Sequence, residues 1–172
     1  DIATFNPYTD HMASIIRRTI AGGVVGGAAI WGVAGIDDTS RNESGEIVES
    51  GDLGVFVTQV GDCLNAEDPN STQWSVTNGV PCSEPHHWQV IFKGTVTTNE
   101  YDATIVANEA SLVCKYAVEG LAARLSYEKS LVYENATSIE LQPTKESFEQ
   151  GDRAVDCLVG SDTEFYTTSL LD

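Results

Sequence analysis

The stretch Thr19 to Ile36, reading TIAGGVVGGAAIWGVAGI, holds eighteen uncharged residues between Arg17-Arg18 and the acidic pair Asp37-Asp38. At the helical rise it reaches about 27 Å, close to the thickness of a bilayer's hydrocarbon core. One transmembrane helix over residues 17–36 is therefore expected. Basic residues gather on the cytoplasmic side of such spans, so the two arginines place residues 1–16 inside as a cytoplasmic N-terminal segment and residues 37–172 outside. A cleaved signal peptide is the competing reading, since Gly32 and Ala34 are small enough to precede a cleavage site. Against it stand the many polar residues before the arginines.

Within this stretch Gly22 with Gly26, and Gly23 with Gly27, make two overlapping small-xxx-small pairs. Lipid tails do not drive helices together, so close backbone approach at such pairs is how a membrane helix gains packing energy. These four glycines are expected to pack against the transmembrane helices of other proteins. Trp31 suits the outer headgroup layer.

The formal charge of −17 lies wholly beyond Ile36, where 7 basic residues face 24 acidic ones. A surface of that sign repels phosphate backbones and anionic headgroups, which argues against nucleic acid as a partner. Four cysteines, Cys63, Cys82, Cys114 and Cys157, also follow the apolar stretch. Outside the cytoplasm they would pair, and four thiols allow three connectivities that sequence does not separate. We favour Cys63 with Cys82, joining two neighbouring turns, and Cys114 with Cys157, tying a helix to the last long strand.

Residues 37–54 (DDTSRNESGEIVESGDLG) are polar and acidic, and are expected to be a tether. From Val55 onward short β-branched and aromatic runs follow: VFVTQV, TQWSV, WQVIFKGTV, LVY, SIEL and RAVDCLV. Each reads as a strand, with Asn78-Gly79 as a turn between the second and third. Apolar residues recur at three and four through Ala110, Val113, Cys114, Ala117, Val118 and Leu121, which predicts a helix over Asn108 to Arg124. The expected fold of residues 55–172 is α+β, a mostly antiparallel sheet with one main helix on one face and two disulfides.

The most distinctive pieces are Val60-Gly61-Asp62-Cys63-Leu64-Asn65 and Val80-Pro81-Cys82-Ser83-Glu84-Pro85-His86-His87-Trp88. After them come Cys114 inside the helix, the segment Pro143 to Phe148, and Gly151-Asp152-Arg153-Ala154-Val155-Asp156-Cys157. In order and spacing this resembles the septum formation family of actinobacterial envelope proteins, over Val55 to Val159. Phe148 stands where that family usually has tryptophan, and His87 where it often has a small or acidic residue. The resemblance implies no catalytic residue and no cofactor.

By residue type, Cys82, His86, His87 and Cys63 are legitimate zinc ligands. Outside the cell the cysteines oxidise instead, and adjacent histidines on an extended chain point to opposite faces, so no metal is expected. For His86 the preferred reading is a ring hydrogen-bonded to a nearby backbone carbonyl, ordering the turn between two prolines. Glu84, His86, His87 and Arg153 form the candidate binding turn, with Arg153 more suited to a local pairing than to ligand recognition. The function expected is a non-catalytic single-pass accessory or interaction subunit of a membrane assembly, the respiratory supercomplex being one candidate host. The lipid bilayer and the helices and outer domains of that assembly would be its partners. Two rivals are a metal-binding or hydrolytic domain using the His86-His87 turn and a cell-division-site module.

Overall fold

The computed structural model describes residues 24–25, 35–66 and 74–171. The sheet runs in the order β1 (Val24–Val25), β8 (Thr137–Gln142), β9 (Ala154–Gly160), β7 (Trp88–Thr95), β5 (Cys63–Asn65), β6 (Val76–Val80), β4 (Gly51–Gly54). All neighbours are antiparallel except β1, which lies parallel beside Leu141 and Gln142 of β8. A separate hairpin joins β2 (Ser40–Arg41) to β3 (Ile47–Glu49). Three helices follow β7 in the chain: α1 (Ala103–Ala122), α2 (Tyr127–Val132) and α3 (Lys145–Glu149). The expected α+β fold, with its antiparallel sheet, main helix and two disulfides, is what the described residues show.

Alternation along β9 builds two cores. Val155, Cys157 and Val159 face α1 and meet Val106, Ala110, Cys114, Val118 and Leu121. Leu158 faces the other way, among Trp88, Val90, Ile139, Leu64, Leu53 and Trp74. A register shift between Val90 and Phe92 adds one residue to β7. Ile91 and Phe92 therefore both lie on the α1 side, while Lys93 returns to the side of Asp156.

Helix α1 begins five residues before the periodicity predicts. Asp102 is its N-cap, accepting from the amides of Thr104 (2.9 Å) and Ile105 (3.0 Å). The β-branched run Thr104-Ile105-Val106 masks this start in the sequence, yet Val106 is fully buried. Helix α3, not expected from the sequence, opens on a reciprocal cap between Thr144 and Ser147.

Four expectations need correction. Residues 37–54 are not a tether: they form β2, β3 and the sheet edge β4, and bury Ile47 and Leu53. Residues 55–57 form a turn rather than a strand, closed by the Val57 amide on the Gly54 carbonyl and by Thr58 Oγ1 on the Val55 carbonyl. Leu131-Val132 end α2, and Tyr133 is its buried C-cap. Asn78-Gly79 lies inside β6, where both residues pair with β4 on one side and β5 on the other. The segment expected to cross the membrane lies outside the described residues apart from Val24, Val25, Gly35 and Ile36, and Gly22, Gly23, Gly26 and Gly27 lie outside them entirely. Among the described residues no helix is long and apolar enough to cross a membrane.

Glu140 is an exception to the apolar interior. It is 5% exposed, and its Oε2 has no hydrogen-bond partner among the described residues. Burial raises its carboxyl above the ordinary 4.5, so folding costs more when this group is charged than when it is neutral. The stability this group permits is complete below that value and declines as pH rises. Glu140→Gln should therefore stabilise the domain by roughly 1 kcal/mol at neutral pH. Urea midpoints of the two proteins should converge under acid conditions, and a constant gap would contradict the assignment.

Candidate functional site

Both disulfides pair as favoured, Cys63 with Cys82 and Cys114 with Cys157. The first lies at the floor of a cleft of about 490 Å³ between the turn at 59–62, the turn at 81–84 and the loop from β2 to β3. One wall is fastened by Arg41, whose Nη1 and Nη2 donate to the two oxygens of Asp62 at 2.6 and 2.9 Å. The Arg41 Nη1 also reaches the Gly45 carbonyl at 2.8 Å, tying the hairpin loop to the same point. A forked pairing of this kind fixes direction as well as distance. Asp62 is further held by the Gln59 amide at 2.7 Å.

Beside the cleft, Gln89 is fully buried and hydrogen-bonded through both ends of its amide. Its Nε2 donates to the Gly61 carbonyl and to Ser169 Oγ, each at 3.0 Å, and its Oε1 accepts from the Leu170 amide at 2.7 Å. One side chain thus fastens the turn around Gly61 to the C-terminal strap, residues 166–171.

His86 anchors the other end of that strap. Its backbone exchanges two hydrogen bonds with Tyr166, at 2.9 and 2.8 Å. The ring is fully buried, with Nδ1 at 2.9 Å from the Glu84 carbonyl, and Nε2 at 3.5 Å from the Tyr133 hydroxyl. Tyr133 stacks on Tyr166 at 4.2 Å and donates to the Thr168 carbonyl. Burial lowers the His86 pKa and His87 lowers it further, against the Glu84 carbonyl, which raises it. The neutral ring is a structural fastener, in agreement with the carbonyl-bonded reading of this turn.

His87 turns to the opposite side. Its Nδ1 meets the carbonyls of Ser161 (2.9 Å) and Glu164 (3.1 Å), and its ring lies 4.0 Å from that of Phe165. Glu84 is exposed beside the cleft, where it accepts from Ser50 at 3.2 Å. Arg153 is not part of this group. It sits beyond the far end of β9, since Gly160 pairs with Trp88 next to His87 while Ala154 pairs with Thr95. There its guanidinium lies 3.3 Å from the centre of the Phe148 ring and donates to the Phe148 and Asp152 carbonyls, both at 2.7 Å. The partners are local, as the sequence suggested, but they are carbonyls and a ring instead of a carboxylate. Phe148 fills its aromatic slot, 4% exposed and edge-on to Tyr101 at 5.5 Å.

Part of the motif set thus meets in one place: Val60 to Cys63 and Val80 to Glu84 line the cleft, whereas Cys114 with Cys157 ties α1 to β9, and Phe148 and Arg153 lie beyond the far end of that strand. The family model for septum formation matches residues 31–157. The chain belongs to the septum formation family. The match begins well before Val55, in keeping with the strands found between residues 40 and 54. No curated protein and no solved structure matches this septum formation chain. Arg41, Asp62, Gln89 and Ser169 escaped the sequence reading. Only the Gly-Asp-Cys spacing hinted at the second, and nothing local marks the others.

Proposed function

We propose that this septum formation protein is a non-catalytic accessory or interaction subunit of envelope machinery, held by segment 17–36 with its domain on the outer side of the cytoplasmic membrane. One observation carries the reading: the conspicuous His86-His87 turn is spent on structure. Each histidine directs Nδ1 at backbone carbonyls, and His86 Nε2 faces a tyrosine hydroxyl in the interior, so the turn presents no free base to the cleft. Two cystines support a compartment that lets thiols oxidise. Among the described residues no group of three His, Cys, Asp or Glu side chains is arranged to hold a metal.

The cell-division-site reading draws its support from the family itself. A pull-down from mild detergent extracts, with mass spectrometry of what accompanies the full chain, tests both readings. Division or wall-building proteins are the expected company, and respiratory subunits would instead favour the supercomplex. Replacing Gly23 and Gly27 with leucine should reduce the recovered partners several-fold if the apolar segment packs against other helices. Unchanged recovery would exclude docking through that segment, and recovery of nothing by the unaltered chain would oppose the accessory role as a whole.

A further inference from the structure

On the α1 side of the sheet, two hollows of about 410 and 310 Å³ lie along the helix and share Leu121, Arg124 and Leu171. Each is within the roughly 300–1,000 Å³ of small-molecule sites. The first is walled by Ile91 and Phe92 of β7 and by Val113, Tyr116 and Ala117 of α1. The register shift between Val90 and Phe92 makes that wall, because it puts two consecutive apolar residues on one side. Phe92 and Tyr116 stay 44% and 67% exposed, so their apolar surface is open to a ligand.

Arg124 stands where the hollows join. Its Nε donates to the Gly120 carbonyl at 2.9 Å, while Nη1 and Nη2 have no partner among the described residues. Arg41, Lys93 and Lys145 meet carboxylates, and Arg153 meets carbonyls and a ring, so this guanidinium is differently placed from them. Beyond Ile36 the chain carries 24 acidic residues, yet none lines either hollow among the described residues. Lys129 lines the second one, so the polar end of this trough is positive in a negative domain.

We propose that the trough binds a single-chain anionic amphiphile, a fatty carboxylate with its acyl chain between β7 and α1 and its head on Arg124. A guanidinium fork matches a carboxylate with two parallel hydrogen bonds. A hydrocarbon chain has no polar group to leave unpaired against Phe92, Val113 and Tyr116, whereas a peptide backbone laid there would. Salt screens the domain's other charges within about 8 Å, so one carboxylate at Arg124 meets chiefly the local cation. An anionic bilayer would face the whole acidic surface, which favours a lone amphiphile over a membrane sheet. The site requires neither a partner protein nor segment 17–36.

The full chain in phosphatidylcholine nanodiscs is irradiated with a palmitate carrying a diazirine on its chain, and the adducts are mapped by mass spectrometry. Labelling is expected on residues 91–92 and 113–121, and unlabelled palmitate should compete it away far better than hexadecanol or hexadecyltrimethylammonium. Arg124→Gln should reduce it roughly fivefold. Gly120→Leu should reduce it too, because a Cβ there meets nothing within 4 Å and a longer side chain fills the hollow while suiting the helix. Both positions are exposed, so the fold is kept. The proposal fails if adducts spread evenly over the domain, if hexadecanol competes as well as palmitate, or if Arg124→Gln is labelled like the parent. It fails as well if phosphatidylglycerol in the discs abolishes labelling, which would assign the trough to a membrane face.

Discussion

Replacing Cys114 and Cys157 together with alanine should cost about 4 kcal/mol, measured as the loss of unfolding free energy in urea. The bridge closes a separation of 43 residues, and in the chain-entropy account the denatured state regains that freedom when it is cut. Both sulfurs lie in the core between α1 and β9, so the variant also loses packing where the helix meets the sheet. Against a typical stability of about 5–15 kcal/mol for a domain, this is a large share. The pair Cys63 and Cys82 closes only 19 residues and should cost about 3 kcal/mol on the same account. A larger loss from the shorter bridge would mean that strain or residual structure, not loop length, decides the outcome.

Gly160→Ala should be the most damaging change of a single small residue, costing about 3 kcal/mol or more. A Cβ there would collide with the His87 carbonyl oxygen and stand 2.8 Å from Trp88 Cα, so backbone rather than a flexible side chain would have to move. That carbonyl accepts from the Ser161 amide at 2.9 Å, and Trp88 is the largest fully buried side chain. Displacing β9 at this point opens the sheet next to the His86 fastening and loosens the strap. Thermal unfolding and amide hydrogen exchange at His86 and Tyr166 would report it. Gly120→Ala is the control: its Cβ meets nothing within 4 Å, and in the interior of α1 it should raise stability by about 0.5–1 kcal/mol. If Gly160→Ala were as harmless, the close approach of β9 to the His87-Trp88 backbone would be wrong.

What could be read from the sequence was local and periodic. The spacing of Ala110, Cys114, Val118 and Leu121 reports a helix face directly, and the apolar runs around Val90 and Leu158 report strands buried on both faces. The cystine partners followed from which elements the cysteines occupied. Reading failed where tertiary contact overrode local signal. Polar residues 37–54 hide two apolar anchors, Ile47 and Leu53, that draw the whole stretch into the sheet. Asn78-Gly79, an ordinary turn signal, is claimed by a strand because two neighbours press on it. The carbonyl partner of His86 lies two residues away and was legible, whereas Gln89 reaches residues some 80 positions distant. Arg153 was grouped with the histidines by type, and strand length then put them at opposite ends.

The place of β9 in the sheet sets an order of assembly. It lies between β7 and β8 although it is the last strand in the chain, so neither neighbour can finish its ladder before residues 154–160 have emerged from the ribosome or a translocation channel. Cys63 and Cys82 can find each other early, their strands β5 and β6 being already adjacent. Cys114, by contrast, must wait as a lone thiol through the synthesis of four more elements. During that interval a newborn chain is open to mispairing, and a thiol-shuffling helper would be most useful to it then.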